Sequence, residues 1–530
     1  MLALLSLAIQ QAAAFPQAPP TSPSSLLVPL PYSVRRVATS EAGRYVAFTI
    51  EEQYQTAAGI DLNGDGDTED TVMGVHDQKK GVTTLTDLDA RELIAGSGFV
   101  MLLRNEEDSG IDVTGDGTTN QNYLSIYDFA TGSVDTPTEA AGSVGAKGPI
   151  GYYRLASGSY RVYSHASRQY RDLPPFVWVQ HVEKEGVFFR EYEYRAGQDL
   201  NGDGDLDDSI MLRWNTNPAE DKSLGFSANA IFHVNGSRIV GRTSEAEEGR
   251  DIDGDGFLSG YLLFASDLAT GSKRILGKMA PFSPRLLFDG DLAYFRKGEK
   301  GIQDLNGDGD LDDFVLVEVN AATGAQQSFS VEADPVAVGG GRLAYAQLES
   351  EAGIDLTGNG SISEALMDVV QLSTGTALGL AQPIHVARSG LMDDRYLVYV
   401  TTERGLQQDI TGDGSTFAEI IEVRDLVTGA SRYLPHDTIS GLLPEKLRNE
   451  VPFVAVETTV DLNGDGDTSD SVLLLHQLRL ESTVTTNVHR SFNFSQSRFG
   501  IAVTSLESWS GSDLNGDGDQ GDRVLFVQAK

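Results

Sequence analysis

Nine short stretches of this chain carry oxygen-bearing side chains on alternate residues, with glycines between them. In the first, Asp61, Asn63, Asp65 and Asp67 are followed by Asp70. Four further loops repeat the pattern in full: Asp199, Asn201, Asp203, Asp205 and Asp208; Asp304, Asn306, Asp308, Asp310 and Asp313; Asp461, Asn463, Asp465, Asp467 and Asp470; and Asp513, Asn515, Asp517, Asp519 and Asp522. Four loops are sparser. Asp112, Thr114 and Asp116 close on Gln121; Asp251, Asp253 and Asp255 on Gly260; Asp355, Thr357 and Asn359 on Glu364; Asp409, Thr411 and Asp413 on Ala418. Several carboxylates crowded into one turn repel each other unless a cation sits among them. Oxygen donors at this density suit a hard divalent ion that takes about six to eight oxygens.

Numbered from its first Asp, each loop resembles an EF-hand or dockerin calcium loop over positions 1 to 7. Side-chain oxygens stand at 1, 3 and 5, and a glycine at 6 permits the sharp turn. The resemblance implies bound Ca²⁺, up to about nine ions, with position 7 contributing its carbonyl. Magnesium fits less well, because it prefers a rigid octahedron with fewer protein ligands. The likeness stops after position 7. An EF-hand has a bidentate Glu at position 12, where this chain has Val72, Ile210, Val315, Val472 or Val524, each within the next apolar run. The acid at position 10 of the full loops is therefore read as the closing carboxylate, brought forward. The sparser loops are expected to bind more weakly or to complete the shell with water. A Glu also recurs after the preceding apolar run (Glu106, Glu349, Glu403, Glu457, Glu507); it reads as a solvated strand end, with a further ligand as the alternative.

The elements that position these loops follow from their spacing. Successive loops start 51, 87, 52, 53, 51, 54, 52 and 52 residues apart. Seven near-equal intervals define a repeat of about 52 residues. The period from Pro335 shows its content: an apolar run (Val336–Val338), a glycine turn, a second run (Arg342–Gln347), the acidic loop, a third run (Leu366–Leu372), a Ser-Thr-Gly turn and a fourth run. Strand-length apolar runs between turn residues predict a four-stranded antiparallel meander, and no 3.6-residue period is present. The interval of 87 hides a tenth unit, Ala141–Phe176, in which a Ser-Gly-Ser hairpin replaces the acidic loop. The loop is thus an insertion on a strand framework.

Repeated four-strand units of this length are the pattern of propeller blades. The runs "GGRLAYAQLE" at Gly340, "DGDLAYFRK" at Asp289 and "SDLATG" at Ser266 resemble TolB-like β-propeller repeats. The resemblance covers residues 34–530 and implies an all-β propeller of about ten four-stranded blades; it implies no activity. The last unit supplies only three strands, and Ser24–Pro31 is expected to provide the fourth. One ten-bladed ring is favoured over two five-bladed rings, because no interval has room for a linker. In a propeller, all the acidic loops would leave from one face.

Composition sets the remaining limits. The 530 residues carry a formal net charge of −37 and no cysteine, which excludes disulfides and thiolate metal sites. The nine ten-residue loops hold 32 of the 77 acidic residues, so the charge is concentrated where a cation would bind. Such a surface should repel nucleic acid and anionic membranes. Residues 1–14 read as a signal peptide with a small-residue cleavage site, and 15–33 as a Pro-rich linker with the possible closing strand. The expected location is secreted, periplasmic or at the cell surface, with no membrane span. No nucleophile elbow, zinc-type His spacing or phosphate loop is present. His181, His233 and His385 fall at similar places in first strands and read as polar residues of a water-filled channel. The preferred reading is a binding or surface scaffold module for a protein or glycan ligand. The alternative is a propeller enzyme, a hydrolase or lyase on carbohydrate or ester substrates, with its site in the channel.

Overall fold

The computed structural model describes residues 27–528 apart from 56–58, 65, 176, 203, 281–284, 300–303, 308, 310, 312, 357–359, 361, 363, 379–381, 385–389, 443–446, 459, 464–465, 490–493 and 498–499. The signal-peptide expectation for 1–14 lies outside the described residues.

Each sequence period forms an antiparallel sheet of four strands in chain order. The period at Pro335 gives Ala333–Gly339, Arg342–Leu348, Ala365–Gln371 and Thr376–Ala377, with a short extra strand, Gln382–Ile384, pairing the third. Seven other described sheets have four strands, and one has seven. In that seven-stranded sheet the long strand Leu27–Thr39 serves two meanders. Its first half pairs with Arg523–Gln528, setting Leu27 opposite Gln528 and Ser33 opposite Val524. Its second half pairs with Tyr45–Glu51. The fourth strand of the last unit therefore comes from the start of the chain. Helix in the described residues is confined to single turns, six of which follow a second strand, as at Glu52–Tyr54, Glu106–Ser109 and Glu507–Ser510. The strand periodicity gave no sign of these turns.

The strands form because their apolar residues can be buried on both faces. In Tyr45–Glu51, Val46, Ala47, Phe48 and Ile50 are all fully buried. Within a unit, sequence-adjacent sheets pack face to face. Ala47, Met73 and Val75 meet Val100 and Leu102 of the next sheet, and Phe188 and Met211 meet Ile239 and Phe264 of theirs. Continuous apolar runs, not alternating ones, are what two-sided burial requires. Third and fourth strands are joined by the expected Asx turn. Asp128 Oδ1 accepts the N–H groups of Ala130 (2.8 Å) and Thr131 (3.0 Å), and Gly132 takes φ 71°. Asp267, Asn320 and Asp425 repeat it. The unit lacking an acidic loop, from Ala141–Lys147 to Gln169–Asp172, keeps all four strands, so the loop contributes nothing to the strand framework.

The described chain divides into two compact units. One, 333–487, holds the sheet begun at Ala333, the sheet begun at Gly390 and most of the sheet begun at Asp437. The other, 26–332 with 488–530, holds the remaining sheets. The smaller unit contains a buried histidine, His476, and a half-buried one, His436. Burial lowers His436 to about 4, and burial with the nearby Arg432 charge lowers His476 to about 4. Their folded values lie below the unfolded value near 6.5, so the stability they confer is present above that pH and is lost as pH falls toward 4. Each is expected to cost roughly 3 kcal/mol over that window. Urea unfolding between pH 6.5 and 4 should steepen accordingly, and His476→Gln should flatten the dependence.

Candidate metal centres

Every acidic loop joins a second strand to a third, and each is folded the same way by its first residue. Asp513 Oδ1 accepts Gly516 N–H at 2.6 Å, and its Oδ2 accepts Gly518 N–H at 2.9 Å. Asp61, Asp112, Asp199, Asp251, Asp304 and Asp409 make the same pair of bonds to the glycines at positions 4 and 6. Asp355 and Asp461 bond to position 6. The glycines are needed here: Gly516 has φ 83° and Gly518 φ 104°, conformations that side chains rarely adopt.

In the full loops the Asn at position 3 donates Nδ2–H to the acid at position 10: Asn63 to Asp70 (3.0 Å), Asn201 to Asp208 (2.6 Å), Asn306 to Asp313 (3.1 Å), Asn463 to Asp470 (3.3 Å) and Asn515 to Asp522 (3.1 Å). Asp70, Asp208, Asp522 and Glu364 are buried, and Asp313 and Asp470 are half-buried. Among the described residues, ligand-capable oxygens converge to within 4.8 Å of one another in groups that include Asp517, Asp519 and Asp522; Asp67 and Asp70; Asp205 and Asp208; Asp112 and Asp116; and Asp253 and Asp255. Asp65, Asp203, Asp308, Asp310, Thr357, Asn359 and Asp465 lie outside the described residues.

Sequence reading placed the recurring Glu at a solvated strand end, and the structure corrects this. Glu106, Glu349, Glu403 and Glu507 are fully buried, and Glu457 is 3 % exposed. Glu52, Glu193, Glu245 and Glu299, absent from the recurrence read in the sequence, occupy the same place and are also fully buried. The glutamate joins each of the groups above, as Glu507, Glu52, Glu193, Glu106 and Glu245. In most loops its backbone N–H donates to the carbonyl of position 10, as Glu52 does to Asp70 and Glu507 to Asp522. Its side chain then accepts from the loop's own backbone. Glu507 Oε1 takes the N–H groups of Leu514 (2.6 Å) and Asn515 (3.0 Å).

The electrostatics are those of crowded, buried acids. Burial, reinforced by the neighbouring loop aspartates, raises Glu299, Glu457 and Glu507. Burial and the hydrogen bond with Asp517 push Asp522 up to about 7. These groups resist losing their protons unless positive charge is supplied. In the Asp251 loop the protein supplies some itself. Gly260 stands where the full loops have Asp at position 10, and Lys278 runs through the space: a Cβ at Gly260 would lie 2.7 Å from Lys278 Cε. The Lys278 ammonium donates to Asp255 Oδ2.

Of the three histidines read as channel residues, His181 and His233 are among the described residues. His181 Nε2 lies 2.8 Å from Glu183 Oε1, and His233 stacks on Phe288 while its Nε2 lies 2.9 Å from the Gly290 carbonyl. His385 lies outside the described residues. No helix of the described chain is long and apolar enough to cross a membrane.

No protein-family model matches the chain, and no curated protein matches it. Solved structures do. The tricorn protease is similar over 89 % of this chain at 10 % identity with a TM-score of 0.36, and this chain spans 46 % of that one. The β-propeller domain of the Trilobed protease from Pyrococcus furiosus is similar over 66 % of this chain and 97 % of its own, at 10 % identity and a TM-score of 0.28. TolB from Acinetobacter baumannii is similar over 63 % of this chain and 76 % of its own, at 10 % identity and a TM-score of 0.26.

Proposed function

We propose that the chain is an exported calcium-binding β-propeller of about ten four-stranded blades in one ring, acting as a binding or surface scaffold module for a protein or glycan ligand. Ca²⁺ is held in the loops between second and third strands, where it neutralises the acidic clusters and stabilises the fold. One observation carries this reading: the acidic oxygens of successive loops converge within 4.8 Å on a loop folded by the same Asp-to-glycine bonds each time. Extracellular oxygen-only modules of this kind bind calcium with a Kd of about 0.1–1 mM. The propeller reading is supported by the face-to-face packing of sequence-adjacent sheets within each unit. Export is supported by the apolar stretch followed by small residues near Met1.

Native mass spectrometry in millimolar calcium is expected to count at least five ions per chain, corresponding to the full loops. A chain that carries no calcium under those conditions would overturn the reading. The Asp251 loop should fill last, because calcium there must displace the Lys278 ammonium from Asp255. Lys278→Met is expected to add one ion to the count at limiting calcium, and an unchanged count would show that the lysine does not compete.

A further inference from the structure

We infer that the buried glutamate after each second strand supplies the closing carboxylate of the seat, the part that a downstream Glu plays in an EF-hand. The inference rests on the calcium reading. The residues are Glu193, Glu299, Glu457 and Glu507 in full loops and Glu245 and Glu403 in sparser ones. In all six, Oε1 accepts the backbone N–H groups of loop positions 2 and 3. In all six, Oε2 is buried and has no hydrogen-bond partner among the described residues. A buried carboxylate oxygen left without a partner is rare and destabilising in a folded protein. Its recurrence at one structural position in six loops calls for a common partner. A carboxylate oxygen of three of these glutamates lies within 4.8 Å of the loop acids' own: Glu507 with Asp517, Asp519 and Asp522, Glu193 with Asp205 and Asp208, and Glu245 with Asp253 and Asp255. The hydroxyls of Thr114 and Thr411, at position 3 of their loops, are buried and equally unpartnered. A divalent cation satisfies all of these atoms at once.

The topology explains why the ligand comes from upstream. In an EF-hand a helix follows the loop and returns its twelfth residue to the ion. Here a strand follows, and its early residues Val72, Ile210, Val315, Val472 and Val524 are fully buried in the core. The position facing the loop's end belongs to the paired second strand. Glu51 sits opposite Thr71 in the ladder, so Glu52 and Asp70 are the first residues beyond it on the two strands. The site therefore takes one carboxylate from each side of the hairpin base.

The test uses the full chain and terbium as a luminescent stand-in for calcium. Trp509 lies in the turn between Glu507 and the Asp513 loop, so it should sensitise an ion in that seat, and Trp509→Phe assigns the signal. Glu507→Gln keeps an oxygen for the Leu514 and Asn515 N–H groups and removes the charge. It is expected to weaken terbium, and calcium competing with it, at least about tenfold. The calcium-free melting temperature should stay the same or rise, because an uncompensated buried charge has been removed. If the glutamate only braces the loop, affinity will be unchanged and the calcium-free melting temperature will fall; that result overturns the inference and leaves the calcium reading standing. A wild-type chain that binds neither ion overturns both. Glu193→Gln, read by the count of bound calcium, should lose one ion, and an unchanged count counts against the inference.

Discussion

With saturating calcium, the protein is expected to melt roughly 6 °C above its temperature in chelator. The size follows from linkage. A site with calcium at ten times its Kd stabilises the folded state by about 1.4 kcal/mol, so five full loops contribute about 7 kcal/mol. Spread over a chain of 530 residues, whose unfolding entropy is about 1.1 kcal/mol/K, that is a shift of roughly 6 °C. The sign follows from the site: without a cation, Asp522 and Glu507 are held above their usual range beside other acids. The effect should saturate with calcium, which separates it from general screening by salt. Differential scanning calorimetry in chelator, in millimolar calcium and in sodium chloride of matched ionic strength checks it. Equal melting temperatures in all three would show that the loops hold no structural ion.

Removal of residues 1–33 should be the most damaging change to the framework. It deletes the half-strand that covers Arg523–Gln528, together with the buried Leu27 and Leu30. It also deletes the backbone of Ser33, whose N–H donates to Gln55 Oε1 (3.1 Å) and whose carbonyl accepts Gln55 Nε2–H (3.2 Å). Two lost leucines and several ladder bonds amount to about 5 kcal/mol. The last sheet would also present a bare edge, which invites pairing with other chains. A lowered urea midpoint with self-association in size exclusion is the expected outcome. A truncated chain that stays monomeric with the same midpoint would show that this half-strand is dispensable.

The repeat, the strand framework and the nine loops were all legible in the sequence, because each is a local property. A strand needs an apolar run between turn residues, and an Asp-to-glycine turn needs residues three and five apart. The sparing of the framework in the loopless Ala141–Asp172 unit was legible for the same reason. The partnership of Leu27–Ser33 with the last strands could be anticipated only by counting strands; the register was decided by tertiary pairing.

The glutamates show where the local rule ends. Counted along the chain, Glu precedes the first Asp of its loop by six residues in six loops, but by five at Glu299, four at Glu457 and nine at Glu52, so spacing alone does not mark the whole set. Counted across the ladder, it stands at one place, beside position 10. The chain by itself determined which residues could bind a cation and how often. Only the tertiary structure decided which acids are buried together, because strand pairing fixes neighbours across the hairpin regardless of how much chain lies between them.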